Sequence, residues 1–287
     1  SSKSKVFNEI SGLPIIDFVY NIAKKVSKDR IIFVCNNKNI NFLKQKFKKC
    51  KFAIQQHQNG TAEAVKVAKK YIKTKDILIL FGDVPLLTMN SVKRLMHNFY
   101  KNKSYGSIIA FKAQNPSGYG RLITKKNKIT SIIEESDANS EQKFINICNS
   151  GVMIINNHLL FSNINKISNK NKKKEKYLTD IINIFHKKGK NFNYILTDED
   201  EVLGINTISD LNKVDKIFQK KIINKFIEKG VIFLDPNNVR LSYDTKISKN
   251  TTIEPYVYIK NGVDIRNNVL IKSHSVIESC KIFQNSI

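Results

Sequence analysis

Apolar and polar positions follow two periods in the first two-thirds of this chain and a third, different one in its tail. Helical spacing runs through 15–26, with Ile16, Val19, Ile22 and Ala23 on one face, and again through 40–48, 61–72, 90–100 and 178–186. Short β-branched runs at 30–35, 52–55, 77–81 and 192–196 read as strands between them. This alternation predicts a mostly parallel sheet with helices on both faces. Shorter strands are expected at 107–110, 120–123, 129–134 and 152–155, as in a substrate-side region built of hairpins, and a long polar-faced helix at 208–229. From Leu241 the pattern changes. Ile247, Ile253, Ile259, Ile265, Ile271 and Ile277 recur every sixth residue, with Val257, Val263 and Val269 in a second register four places on. A six-residue apolar period fits neither a helix nor a strand pair; it predicts a parallel β-helix with inward-stacked isoleucines. Hardly more than two coils are expected, with an uncapped and therefore unstable end.

Composition narrows the class. At 287 residues the chain can bury one large core or two modest ones. It has no apolar run near the roughly 20 residues that span a bilayer and no secretory apolar segment near Ser1. Cys35, Cys50, Cys148 and Cys280 are scattered without ligand spacing, which argues against a zinc site or disulfide framework and for a reducing cytoplasm. The net charge of +25 is spread along the chain together with abundant Asn and Ile, the composition of an AT-rich genome. Its densest run, KNKKKEK at 170–176, has no interleaved aromatic residue for base stacking. The charge therefore points to attraction of phosphorylated substrates, with no nucleic-acid partner.

The candidate chemistry begins with DILILFGDVPLL at 76–87. An apolar strand buried on both faces would end there in Gly82-Asp83, leaving a carboxylate at the carboxyl end of a parallel strand. Ligands bind at that edge in open α/β sheets, and a hard cation bridging phosphates takes one or two carboxylates. Asp83 could equally cap a turn. In IQQHQNGTA, Thr61 either N-caps the following helix or, with Gly60, admits a ligand to its N-terminus, while Gln55 could read a pyrimidine edge. Gly118-Tyr119-Gly120-Arg121 brackets a tight turn. Glu134 could bond sugar hydroxyls or lie on the surface. Asn149 could bond a sugar or satisfy a turn, and Asn206 could be a ligand or a cap.

Taken in order, Lys5-Val6-Phe7, Gln55, Gly60-Thr61, Gly82 to Leu86, Gly118 to Arg121, Glu134, Asn149-Ser150-Gly151, Tyr177 to Asp180 and Gly204-Ile205-Asn206 resemble one family. It is that of the bacterial bifunctional N-acetylglucosamine-1-phosphate uridylyltransferase / glucosamine-1-phosphate acetyltransferase. The resemblance implies an α/β fold: a Rossmann-like (GT-A-like) nucleotidyltransferase domain over 1–208, a linker helix over 209–229, and the start of a left-handed parallel β-helix of hexapeptide repeats over 230–287. It implies uridylyl transfer from UTP to N-acetylglucosamine 1-phosphate with Mg2+, and acetyl transfer from acetyl-CoA by a homotrimer in the longer protein. By the same resemblance Lys5 contacts phosphates and, with Asp83, serves catalysis. Gln55, Gly60 and Thr61 hold the uracil, and Phe81 and Gly82 line the site. Gly120, Glu134, Asn149 and Thr179 bind the sugar, and Asp83 and Asn206 ligate the metal.

Two residues depart from the family pattern: Phe81 replaces a frequent Tyr, and Ser136 a usual Lys. The family's opening strand and Gly-rich phosphate loop precede the segment that here reads SSKSKV. The chain is thus expected to be a fragment, inactive alone, with two strands left without a neighbour. The alternatives are another sugar-1-phosphate nucleotidyltransferase, such as one using glucose 1-phosphate, or a non-catalytic or basic nucleic-acid-binding remnant.

Overall fold

Ser11 and Gly12 both take positive φ, the backbone that a two-residue hairpin turn requires, and they join β1 (Glu9–Ile10) to β2 (Leu13–Pro14). The chain continues through α1 (Ile15–Ser27), β3 (Ile32–Cys35), α2 (Ile40–Lys46), β4 (Lys51–Ile54), α3 (Thr61–Ala68) and β5 (Asp76–Ile79). Then come α4 (Met89–Lys101), β6 (Gly106–Lys112), β7 (Arg121–Lys125), β8 (Lys128–Ile133), α5 (Ser140–Lys143) and β9 (Ile147–Asn156). α6 (Asn157–Asn163), α7 (Asp180–Lys187), β10 (Phe192–Thr197) and α8 (Ile208–Ile227) complete the helical part. This computed structural model describes residues 4–57, 59–125 and 128–287. The residues fall into two compact units, 19–202 and a second made of the chain up to Phe18 with 203–287. That division differs from the 208/209 and 229/230 boundaries expected from sequence, because the N-terminal hairpin packs with the C-terminal part.

In the 19–202 unit, β10 pairs in parallel with β6, while β9 runs antiparallel to β6, β5 and β7, and β7–β8 is a hairpin. The sheet is therefore mixed rather than mostly parallel. A parallel neighbour needs a crossover connection; between β6 and β9 the chain instead makes the β7–β8 hairpin and returns antiparallel. Alternate β6 residues reach opposite cores, as a two-residue period demands. Ile108 and Ala110 join Met153, Ile155, Phe185 and Phe192, whereas Ile109 and Phe111 join Leu95, Phe99, Val152 and Ile154. β3 and β4 form a separate parallel pair. Among the described residues β5 pairs only with β9, and its residues are half-buried, not enclosed on both faces.

The second unit closes with nine short strands: β11 (Ile232–Phe233), β12 (Val239–Leu241), β13 (Lys246–Ile247), β14 (Thr252–Ile253), β15 (Val257–Ile259), β16 (Asp264–Ile265), β17 (Leu270–Ile271), β18 (Val276–Ile277) and β19 (Lys281–Ile282). They stack in three parallel sheets, β11-β14-β17, β12-β15-β18 and β13-β16-β19. Partners such as Val239↔Val257 and Lys246↔Asp264 lie eighteen residues apart, so one coil is three hexads. Positive φ at Asn250, Tyr256, Gly262, Asn268 and His274 marks a corner every six residues. Each side has three rungs, not the two or so expected, because β11 is laid down before the apolar hexads start. Ile253, Ile259 and Ile265 are fully enclosed.

Candidate active site

The expected site residues of the 19–202 unit form one unbroken series of contacts. Gln55 follows β4, and its Nε2 donates to the Gly60 carbonyl at 3.1 Å. Gly60 has φ +105°, and a Cβ there would lie 2.4 Å from the Lys176 carbonyl oxygen. Gly60 thus lets the chain at 176 cross closely, where Ala62 N–H donates to Lys176 O at 3.0 Å. Gly60 is itself the N-cap of α3. The expected Thr61 cap is not formed, because the Thr61 hydroxyl accepts the Leu178 N–H at 2.9 Å. One residue further, Thr179 Oγ1 donates to Glu134 Oε1 at 2.9 Å.

Glu134 ends the β8 segment beside Gly120, where a Cβ would come within 3.1 Å of Glu134 Oε2. The absent side chain keeps that second carboxylate oxygen open. The Gly120 carbonyl accepts Asn149 N–H at 2.8 Å, and Asn149 Oδ1 accepts Gly151 N–H at 3.0 Å. Asn149 to Gly151 lies in a bulge of β9, where the β6–β9 register slips between Ile108 and Ala110. Ser150 Oγ ties that bulge to Ile109 O at 2.7 Å. Gly151, at φ +84°, carries the Phe81 ring against its backbone. Phe81 opens a turn closed by Val84 N–H to Phe81 O at 3.3 Å, and Gly82 and Asp83 are its two central residues. Asp83 is half-buried and follows β5 by four residues, since the strand ends at Ile79 rather than Phe81.

Lys5 and Asn206 belong to the other unit and meet each other: Lys5 Nζ donates to Asn206 Oδ1 at 2.6 Å. Asn206 is not the helix cap. Thr207 is, in a capping box with Asp210.

Two further groups of this site were not singled out from sequence. Asp180 begins α7 directly after Thr179, and burial, reinforced by the Glu134 and Asp137 carboxylates, raises its pKa to about 6. Burial also raises Glu134, against the Thr179 hydrogen bond and the Lys173 and Arg121 charges. The second is Arg121, fully buried and ion-paired with Glu135. Both stand inside segments of the family resemblance, Tyr177 to Asp180 and Gly118 to Arg121, but neither residue type announces a role there.

Among the described residues no three His, Cys, Asp or Glu side chains converge on a possible metal centre. A divalent ion carried by substrate phosphates takes only one or two protein oxygens. The Asp83 carboxylate in one unit and the Asn206 amide oxygen in the other are each hard donors.

The nucleotidyl transferase family matches residues 2–221. The chain belongs to this family. The bacterial transferase hexapeptide repeat matches 244–279, within the stacked strands. The chain is 37% identical over 254 residues to the bifunctional protein GlmU of Buchnera aphidicola subsp. Schizaphis graminum, covering 87% of this chain and 54% of that protein. It is 35% identical to GlmU of Bartonella bacilliformis, covering 85% and 55%. It thus spans about half the length of these relatives. A Bacillus anthracis crystal structure assigned as a glucose-1-phosphate thymidylyltransferase shares the fold, with TM-score 0.57 and 17% identity over 75% of this chain and 87% of that one. The chain thus carries a nucleotidyl transferase domain. No helix among the described residues is long and apolar enough to cross a membrane.

Proposed function

We propose that this chain carries the site that transfers uridylyl from UTP to N-acetylglucosamine 1-phosphate, releasing pyrophosphate. The observation that carries the reading is the contact series from Gln55 through Glu134 and Asn149 to Asp83, which links every residue expected from the 19–202 unit. In this reading the sugar phosphate attacks the α-phosphorus in line, a step that needs positioning and charge neutralisation more than acid–base chemistry. Gln55 and the backbone around Gly60 hold the uracil. Glu134 Oε2 accepts from sugar hydroxyls over Gly120, and Asn149 and Thr179 fix its neighbours. Asp83 would hold magnesium; Asn206 and Lys5, in the other unit, keep the roles of metal ligand and phosphate contact that the family resemblance implies. The metal, when bound, offsets negative charge on the transferring phosphoryl group. The hexapeptide coil at 230–287 belongs, in the same reading, to an acetyltransferase that takes acetyl-CoA and assembles as a trimer.

Asp83→Asn is nearly isosteric but a poor magnesium ligand. Charge stabilisation by a metal is worth several kcal/mol, so with the substitution made in the longer protein, pyrophosphate release from UTP and N-acetylglucosamine 1-phosphate should fall by about a hundredfold with the fold unchanged. Near-normal turnover at saturating magnesium would leave Asp83 as a turn residue and sink the assignment. A second reading, glucose 1-phosphate as acceptor, is favoured by the name of the Bacillus anthracis structure. Comparing kcat/KM for the two sugar phosphates decides between them.

A further inference from the structure

Of 49 basic residues only five are arginine: Arg30, Arg94, Arg121, Arg240 and Arg266. A chain that places lysine by default keeps arginine where a cation must be enclosed, because a guanidinium is more weakly hydrated than an ammonium. Four of the five are exposed; Arg121 is 1% exposed. A guanidinium so enclosed must be matched by strong acceptors, and loses heavily if it is not. Its Nη1 donates to the Tyr119 carbonyl and pairs with the Glu135 carboxylate. Glu135 Oε2 in turn accepts the Gly118 N–H at 3.3 Å. The pairing holds the Glu135 carboxyl below its ordinary pKa, chiefly through the Arg121 hydrogen bond. Nε, also buried, has no partner among the described residues. A donor left unmatched inside a protein argues that something other than stability retains the residue.

The position of this strap matters more than its strength. Arg121 follows Gly120 directly, and Glu135 follows Glu134 directly. The ion pair therefore lies one residue behind the two groups whose approach shapes the sugar side of the site. It binds the 118–120 turn to the end of β8, and so sets how closely Gly120 backs onto Glu134 Oε2. Gly120 is also tied on its far side, through its carbonyl, to Asn149.

We propose that Arg121 is a positioning residue for sugar recognition, its buried Nη1 clasping the Tyr119 carbonyl and the Glu135 carboxylate together so that Glu134, Gly120 and Asn149 hold their spacing. This rests on the sugar-binding reading of Glu134. Lysine at 121 would keep the charge on a shorter stem and on a more strongly hydrated ammonium, which this enclosed position penalises. The turn should then loosen while the nucleotide side stays intact.

The test uses the whole chain, with Arg121→Lys and Glu135→Gln. Glu135 is partly exposed, so Glu135→Gln keeps the proposal testable if the first variant does not fold. Calorimetric titration with N-acetylglucosamine 1-phosphate should show about tenfold weaker binding for Arg121→Lys and a smaller loss for Glu135→Gln. UTP with magnesium should bind both as it binds the unmodified chain. Amide exchange should accelerate at 117–120 and stay unchanged in β6 and β9. Equal losses for both ligands, or faster exchange across the whole unit, would make Arg121 a fold residue and overturn the proposal. So would unaltered sugar-phosphate affinity with unaltered exchange. If the unmodified chain binds UTP but no sugar phosphate, the substrate reading itself fails and takes the proposal with it. That outcome is distinct from binding that is indifferent to the substitution.

Discussion

Glu134, Asp137 and Asp180 crowd three carboxylates into a partly dry corner whose cationic influences on Glu134 are Lys173 and Arg121. The consequence for stability has a definite sign. Asp180 titrates near 3.8 when unfolded and at about 6 when folded, so the native state binds the proton more tightly. Stability from this group is fully present below the unfolded value and is lost as pH rises through about 6. Burial is the first cause, the Glu134 and Asp137 charges the next, and the raised Glu134 contributes in the same direction. Asp180→Asn imitates the protonated form at every pH. It should be more stable than the unmodified chain at pH 8 by roughly 1 kcal/mol, a figure reduced for partial exposure, and close to it at pH 4. Denaturant midpoints at the two pH values check this; an equal difference at both would remove the carboxyl proton from the account. From sequence, Glu134 was legible as a polar residue ending an apolar strand. The role of Asp180 was not, because an acid in the first turn of a helix is already accounted for by the helix dipole.

Elements divide into those whose pattern is local and those set by distant neighbours. The hexads were readable because each isoleucine stacks on the next coil, eighteen residues on, so the sequence repeats what the packing repeats. The course of β9 was not. Its direction depends on the β7–β8 hairpin, and its bulge is held by Ser150 and Asn149 side chains that read equally well as a turn before a strand starting at 152. The hairpin β1–β2 was missed for a similar reason. Its tip is fixed by α8, about two hundred residues away in sequence. Ser11 donates through N and Oγ to Asp215 Oδ1 at 3.0 Å each, and Gln219 Nε2 donates to Ser11 Oγ at 2.7 Å. Gln219 also exchanges two hydrogen bonds with the Leu241 backbone, at 2.7 and 3.0 Å. In KIFQKKI such a glutamine looks like one more solvent-facing residue of a polar helix; in the structure it is 8% exposed. Gln219→Leu keeps the volume but strands a buried N–H and C=O, each costing about 1–3 kcal/mol. We expect a loss of roughly 2–4 kcal/mol, seen as faster amide exchange at 9–14 and 239–243. A neutral result would mean that water replaces the amide.

At the scale of the whole molecule the dominant quantity is charge. With 49 lysines and arginines against 24 acids, the folded chain carries +25 and repels itself. Among the described residues the ion pairs are mostly open to solvent at least in part, such as Lys176–Glu63 at 2.7 Å and Lys260–Glu278 at 3.1 Å, and such pairs contribute little. Salt should therefore relieve more repulsion than it removes attraction. The melting temperature should rise between 50 and 500 mM NaCl, as the screening length falls from about 14 Å to about 4 Å. If the transfer reaction proposed above is carried by this chain, the same field draws in its phosphorylated substrates, which gain nothing once it is screened. KM for UTP, measured on the longer protein, should then rise by up to about tenfold over the same range, with kcat little changed. Two opposite responses to one variable separate this account from its rivals. If stability fell with salt, ion pairs would outweigh the net charge. If KM were indifferent while stability rose, the excess lysine would be a genomic composition with no part in substrate capture. A steep salt-dependent affinity for a short RNA, with none for uridine nucleotides, would assign the charge to nucleic acid and withdraw the transfer reaction from this chain.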